Sequence, residues 1–128
     1  MQVEHIAWQV PDPVALAEWY TQQMGFQVVR RGKGPSLAHF LADSAGRVVI
    51  EVYNNPAASI PDYPAMNPLT LHLAFAVPDL TGTRDRLVKA GATIAEDITT
   101  THAGDDLAML RDPWGFPVQL VKRAQPMI

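Results

Sequence analysis

No cysteine occurs among the 128 residues. That absence removes disulfides, thiolate metal sites, iron–sulfur clusters and a nucleophilic thiol together. Charge is sparse, at 18% of residues, and basic charge is the scarcer sign. Ten Lys plus Arg stand against 13 Asp plus Glu, for a net charge of −3. Surfaces that hold nucleic acid or anionic membranes are normally basic, so neither partner is expected. No apolar run is long enough for a membrane span and no basic-plus-apolar leader is evident, so a cytoplasmic protein is expected. A Ser-His-Asp set, a phosphate-cradling glycine loop and a nucleic-acid motif are missing too. What is present is a 48% hydrophobic chain of a length suited to one domain, 1–128. Its 11 prolines and 8 glycines divide it into many short elements.

The elements follow from hydrophobic spacing. Val3 to Val10 alternates as a strand, with Ile6, Trp8 and Val10 on one face and His5, Ala7 and Gln9 on the other. Asp12 and Pro13 form an N-cap and first helical residue for a helix to Met24, closed by Gly25. Strands are expected at Phe26 to Arg30, Leu37 to Ala42 and Val48 to Asn54, the last two joined by a hairpin loop. Four prolines between Asn55 and Pro68 mark a linker. The order then restarts: a strand at Leu69 to Val77 and a helix at Leu80 to Ala90 with Leu87 and Val88 inward. Strands follow at Ala92 to Ile98, Leu107 to Leu110 and Val118 to Lys122.

The two halves repeat. Val10-Pro11-Asp12 recurs as Val77-Pro78-Asp79 and His5 as His72, each 67 residues on. Gly25 recurs as Gly91, and Asp43 with Gly46 as Asp112 with Gly115, at offsets of 66 and 69. The division is module 1 (1–55), linker (56–68) and module 2 (69–124). Neither module is large enough to bury its sheet face alone, so an α+β fold is expected in which two βαβββ modules combine into one sheet with helices on one side.

The helix-facing side of the strands reads Ile6, Trp8, Val48, Ile50, Val52, Leu71, Leu73, Phe75, Val118 and Leu120. The other side carries His5, Glu51, His72 and Gln119, at matching positions of the repeat: 46 residues separate the first two and 47 the last two. Their same-face neighbours include Ala7, Val49, Tyr53, Ala74, Ala76 and Val121, which is the composition of a pocket lining. Singly, a strand histidine is a structural residue, Glu51 a solvated carboxylate and Gln119 uninformative. Jointly, two imidazoles, a carboxylate and an amide oxygen form a set suited to Zn, Ni, Co, Fe or Mn. His39 and His102 read as structural or surface residues. Arg30, Arg31 and Lys33 cluster near a loop, where a solvated charge run is the common meaning and attraction of an anionic substrate the functional one.

At these residues the sequence resembles the vicinal oxygen chelate superfamily, which includes glyoxalase I, bleomycin-resistance proteins and extradiol dioxygenases. The resemblance lies in the duplicated module, in His5-Ile6-Ala7-Trp8 and His72-Leu73-Ala74-Phe75, and in the stretch Asp112-Pro113-Trp114-Gly115-Phe116-Pro117-Val118-Gln119-Leu120. It implies a curved mixed sheet with helices on its outer face, and a homodimer. It also implies a divalent metal held by His5, Glu51, His72 and Gln119. The set is similar to that of bacterial glyoxalase I, which implies a lyase or isomerase acting on a small oxygen-chelating substrate through an enediolate-type intermediate. Two departures bear on this. The fourth ligand is Glu in glyoxalase I and Gln119 here, and an amide takes no proton at neutral pH, so either Glu51 is the base, the first candidate, or a metal-bound hydroxide is, or the reaction is another one. Gln9 occupies the place where those enzymes carry an Arg for the glutathione carboxylate, so Gln9 and Tyr53 are the candidate substrate-binding residues of a site not matched to glutathione. With one carboxylate, a divalent site keeps a net positive charge, which strengthens a Lewis acid. The resemblance also leaves an extradiol-type dioxygenase and a non-catalytic drug- or metabolite-binding protein as alternatives.

Overall fold

In the computed structural model, which describes residues 1–127, the chain divides into two compact units, Met1–Pro61 and the part from Asp62 on. The first unit contains β1 (Ile6–Gln9), α1 (Pro13–Met24), β2 (Gln27–Arg31), β3 (His39–Ala42) and β4 (Val49–Tyr53). The second contains β5 (Leu73–Ala76), α2 (Leu80–Lys89), β6 (Thr93–Thr100), β7 (Asp106–Arg111) and β8 (Pro117–Lys122). This is the α+β architecture of two tandem βαβββ modules. Each closes a four-stranded mixed sheet, ordered β1-β4-β3-β2 and β5-β8-β7-β6. In each, the first strand is parallel to the last and the remaining pairs are antiparallel.

Both helices start for the same reason. Asp12 Oδ1 accepts from Ala15 N (3.0 Å) and Asp79 Oδ1 from Gly82 N (2.9 Å), each satisfying an otherwise orphaned first-turn donor. Gly25 ends α1 in the left-handed region at φ 73°, where its N–H reaches Tyr20 O. Leu16, Ala17 and Tyr20 of α1 are buried, as are Trp8, Leu41, Ile50 and Val52 of the sheet it packs on. In the second unit the corresponding layer is Leu80 and Leu87 of α2 with Ala108, Leu110, Val118 and Leu120.

The first strand of each module is shorter than its alternating sequence. β1 begins at Ile6 because its partner β4 offers a register only from Ile50 to Tyr53. Before β5, Asn67 folds the chain into a turn: its side chain takes Leu69 N (2.9 Å) and its carbonyl takes Thr70 N (2.9 Å). Consequently Ile6, Val48 and Leu71, read from alternation as core, lie at sheet margins and are 46–47% exposed. Val88 is likewise exposed rather than inward. The proline-rich stretch splits between the units, with Pro56 and Pro61 in the first and Pro64 and Pro68 in the second.

Candidate functional site

The parity of each strand decides which side chains share a face. In the first unit, Ile6, Ile50, Leu41 and Val28 align across the sheet on the helix side. Ala7, Glu51, Phe40 and Arg30 align on the opposite side. His5 precedes β1, two residues before Ala7. Its Nε2 lies 3.4 Å from Glu51 Oε2, and its ring meets Phe40 edge-on with centroids 5.7 Å apart. His5 and Glu51 are therefore brought together, both partly buried.

In the second unit, Ala74 pairs with Gln119, and His72 stands two residues before Ala74. The strand register of the first module is thus repeated, while the partner of His72 is a backbone carbonyl. His72 Nδ1 donates to Pro68 O (2.9 Å). A carbonyl only accepts, so the proton sits on Nδ1 and the Nε2 lone pair is left available. His5 Nδ1 is likewise engaged, by the Glu4 carboxylate, while its Nε2 faces Glu51. That bond is the main reason the His5 pKa is raised; loss of hydration opposes it, and the charges of Glu4 and Glu51 add to it. An imidazole whose Nδ1–H is held by an oxygen acceptor while Nε2 points to the site is the disposition of metal-ligating histidines. The Gln119 amide has no hydrogen-bond partner among the described residues. The donor types therefore fit a divalent cation. Among the described residues no group of three or more His, Asp or Glu side chains gathers as a metal cluster; the first unit assembles the pair His5 and Glu51.

Beside Gln119 the face includes the small apolar residues Ala74 and Ala76. An open cavity of about 740 Å³ in the second unit is lined by Ala74, Ala76, Val77, Val121 and the C-terminal Pro126 and Met127, among others. Ala74, Ala76 and Val121 belong to the face of Gln119. Tyr53 pairs with Gln9 in the first unit, and its hydroxyl has no partner among the described residues. Gln9 is buried and its amide is occupied. Nε2 donates to Ala58 O (2.5 Å) and Ser59 O (3.4 Å), and Oε1 accepts from Asn55 N (2.5 Å). It pins the segment that follows β4. Of the other histidines, His39 is buried on the helix side with Nδ1 on Leu37 O (2.7 Å), and His102 is in an exposed turn.

The loop before Gln119 is organised by its acidic residue. Buried Asp112 Oδ1 accepts from Trp114 N and Phe116 N, each at 2.9 Å, and Gly115 N donates to Asp112 O (2.9 Å). Arg111 ties it down further, donating to Gly115 O (3.0 Å), Tyr63 O (2.7 Å) and Met66 O (2.7 Å). The equivalent Asp43 takes Arg47 N (2.9 Å) and Val48 N (3.2 Å) before β4, which carries Glu51. Phe40 is the site neighbour that sequence reasoning passed over. Its signal was alternation with Leu41, which acquires meaning only once β3 is paired with β4.

A family model described as Glyoxalase/Bleomycin resistance protein/Dioxygenase superfamily matches residues 2–120. The chain is 28% identical over 131 aligned positions to a probable lactoylglutathione lyase of Vibrio cholerae, covering 97% of this chain and 92% of that protein. Among solved structures it is similar to a glyoxalase family protein from Bacillus cereus, with TM-score 0.80, 15% identity and coverage of 95% and 93%. It is also similar to a glyoxalase I mutant from Zea mays, with TM-score 0.73 and 22% identity, over 94% of this chain and 45% of that one.

Proposed function

The chain belongs to the glyoxalase/bleomycin resistance/dioxygenase superfamily, and from that premise we propose that it is a metal-dependent lyase or isomerase of the glyoxalase I kind, acting on a small oxygen-chelating substrate. The observation that carries this reading is the repeated donor arrangement. Each module presents a histidine whose Nδ1 is engaged by an oxygen, two residues before a strand position paired with Glu51 in one module and Gln119 in the other. The similarity to a probable lactoylglutathione lyase supports the same class.

His5, Glu51, His72 and Gln119 would hold a divalent ion, one of Zn, Ni, Co, Fe or Mn. Such an ion supplies a Lewis acid that steadies negative charge developing on a substrate oxygen. Glu51 removes the proton next to the substrate carbonyl and returns it to the neighbouring carbon, a task closed to the Gln119 amide. His5 keeps Glu51 in place through the contact at 3.4 Å. Tyr53, with its hydroxyl free on this face, donates a hydrogen bond to the substrate. Gln9 acts by holding the Asn55–Ser59 segment beside Tyr53. The protein works as a homodimer.

A second reading, a protein that holds a small apolar molecule without turning it over, is favoured by the apolar cavity beside Ala74 and Ala76. Elemental analysis of purified, reconstituted protein separates the two. The enzyme reading expects about one metal equivalent per chain, and occupancy below about a tenth overturns it. Glu51→Gln, retaining an oxygen donor, is expected to keep metal while kcat on an oxygen-chelating substrate that the parent protein turns over falls by about two to four orders of magnitude. Full activity of that variant removes Glu51 as the base.

A further inference from the structure

β2 does not alternate regularly. Its register with β3 runs Gln27 to Ala42, Val28 to Leu41, then skips Val29 and resumes at Arg30 with Phe40 and Arg31 with His39. In an unbroken strand Arg30 would share the face of Val28, which is the helix side. The extra residue at Val29 reverses the parity, so Arg30 emerges on the face of Phe40 and Glu51, and Arg31 turns to the helix side with His39. Bulges commonly serve to re-aim a side chain beside a functional site.

The re-aimed guanidinium stands over the Phe40 ring, its Cζ 5.8 Å from the ring centroid. Phe40 in turn meets His5 edge-on. Stacking on an aromatic ring leaves the guanidinium's edge donors free, and no carboxylate pairs with Arg30 among the described residues. Arg30 and Glu51 are separated by one strand, so their backbones lie about 10 Å apart. Arg31 and Lys33 add positive charge at this end of the sheet, while Glu4 and Glu51 place negative charge at the other. A preoriented, unpaired arginine on the face of a base carboxylate, reached through a bulge, matches an elongated substrate with one anionic end.

We propose that Arg30 binds a carboxylate of the substrate and so sets its direction on this face, with the anionic end at Arg30 and the carbonyl end at Glu51. The inference rests on the reading of His5 and Glu51 as the reacting end, but its test does not require turnover. Levulinate, a ketone with a terminal carboxylate, serves as the probe, with methyl levulinate as its neutral counterpart, in NMR titrations of the full-length protein. Levulinate is expected to shift the Arg30 and Phe40 signals, and Arg30→Gln to weaken its binding about tenfold or more. Methyl levulinate should be indifferent to that change, and Arg31→Gln, which alters net charge equally but faces the helix side, should leave levulinate binding within about twofold. Levulinate that fails to bind, or that binds Arg30→Gln as well as the parent protein, overturns the assignment. If instead levulinate depends on Arg30 while Glu51→Gln retains full turnover or no metal binds, the proposed chemistry fails and the anion site stands.

Discussion

Asp112 illustrates how one side chain places another. It lies in the loop before β8, and its two bonds to Trp114 N and Phe116 N set the chain direction from which Gln119 emerges. Gly115 completes the loop at φ 85°, and a β-carbon there would collide with the ring of Pro64. The Asp-Pro-Trp-Gly stretch that marks the sequence is thus a turn-forming device. Asp112→Ala leaves two backbone N–H groups without their acceptor and is expected to cost about 2–4 kcal/mol in urea denaturation. Asp112→Asn, which keeps the accepting oxygen, should cost less. Equal losses in the two variants would show that charge, not the accepted bonds, is what matters at this position.

At the scale of elements, the modules repeat even in their irregularities. β6 carries a bulge between Ile94 and Glu96, just as β2 does between Val28 and Arg30, at the same place in the module. The second module then aligns Ala74, Gln119, Met109 and Glu96 on one face where the first aligns Ala7, Glu51, Phe40 and Arg30. The C-terminal segment that lines the cavity beside Ala74 is anchored by Asp105, which accepts from Ala124 N (2.9 Å) and pairs with Arg123 (2.6 Å). Those partners, the Ala124 N–H first and Arg123 second, lower the Asp105 pKa below the ordinary carboxylate value. A depressed folded-state pKa means the anchor's contribution is present above the unfolded value, about 3.9, and is lost as pH falls through the folded one. Hydrogen exchange at Ala124 should therefore be protected near neutral pH and lose protection only as pH falls through the lowered Asp105 pKa, below the ordinary carboxylate value of about 3.9. Asp105→Ala should remove the protection throughout. Protection that persists in Asp105→Ala would assign the tail's order to other contacts.

For the molecule as a whole, stability is supplied by two cores, each built under one helix. Ile50 and Leu120, at 0% and 1% exposure, belong to different units yet to the same layer of their modules. Ile50→Ala and Leu120→Ala are each expected to cost about 2–5 kcal/mol in chemical denaturation. A near-neutral result at either position would mean that unit's core is not the one described. No helix among the described residues is long and apolar enough to cross a membrane, in keeping with the short, proline-punctuated elements of the sequence.

The order of elements, the Asp12 cap, the duplication and the placing of Glu51 and Gln119 opposite the helix-facing stripe were legible in the sequence, because each depends on spacing within a few residues or on one offset between halves. Tertiary structure decided what depends on pairing between strands. Strand pairing cut β1 short and the Asn67 turn cut β5 short, which left Ile6 and Leu71 exposed at the margins. The bulge at Val29 turned Arg30 onto the face of Glu51, an outcome alternation alone assigns the other way. Long-range backbone acceptors occupied the amide of Gln9, and the Pro68 carbonyl settled which nitrogen of His72 carries its proton. Local spacing marks the residue types able to do chemistry, and strand register determines the direction in which they face.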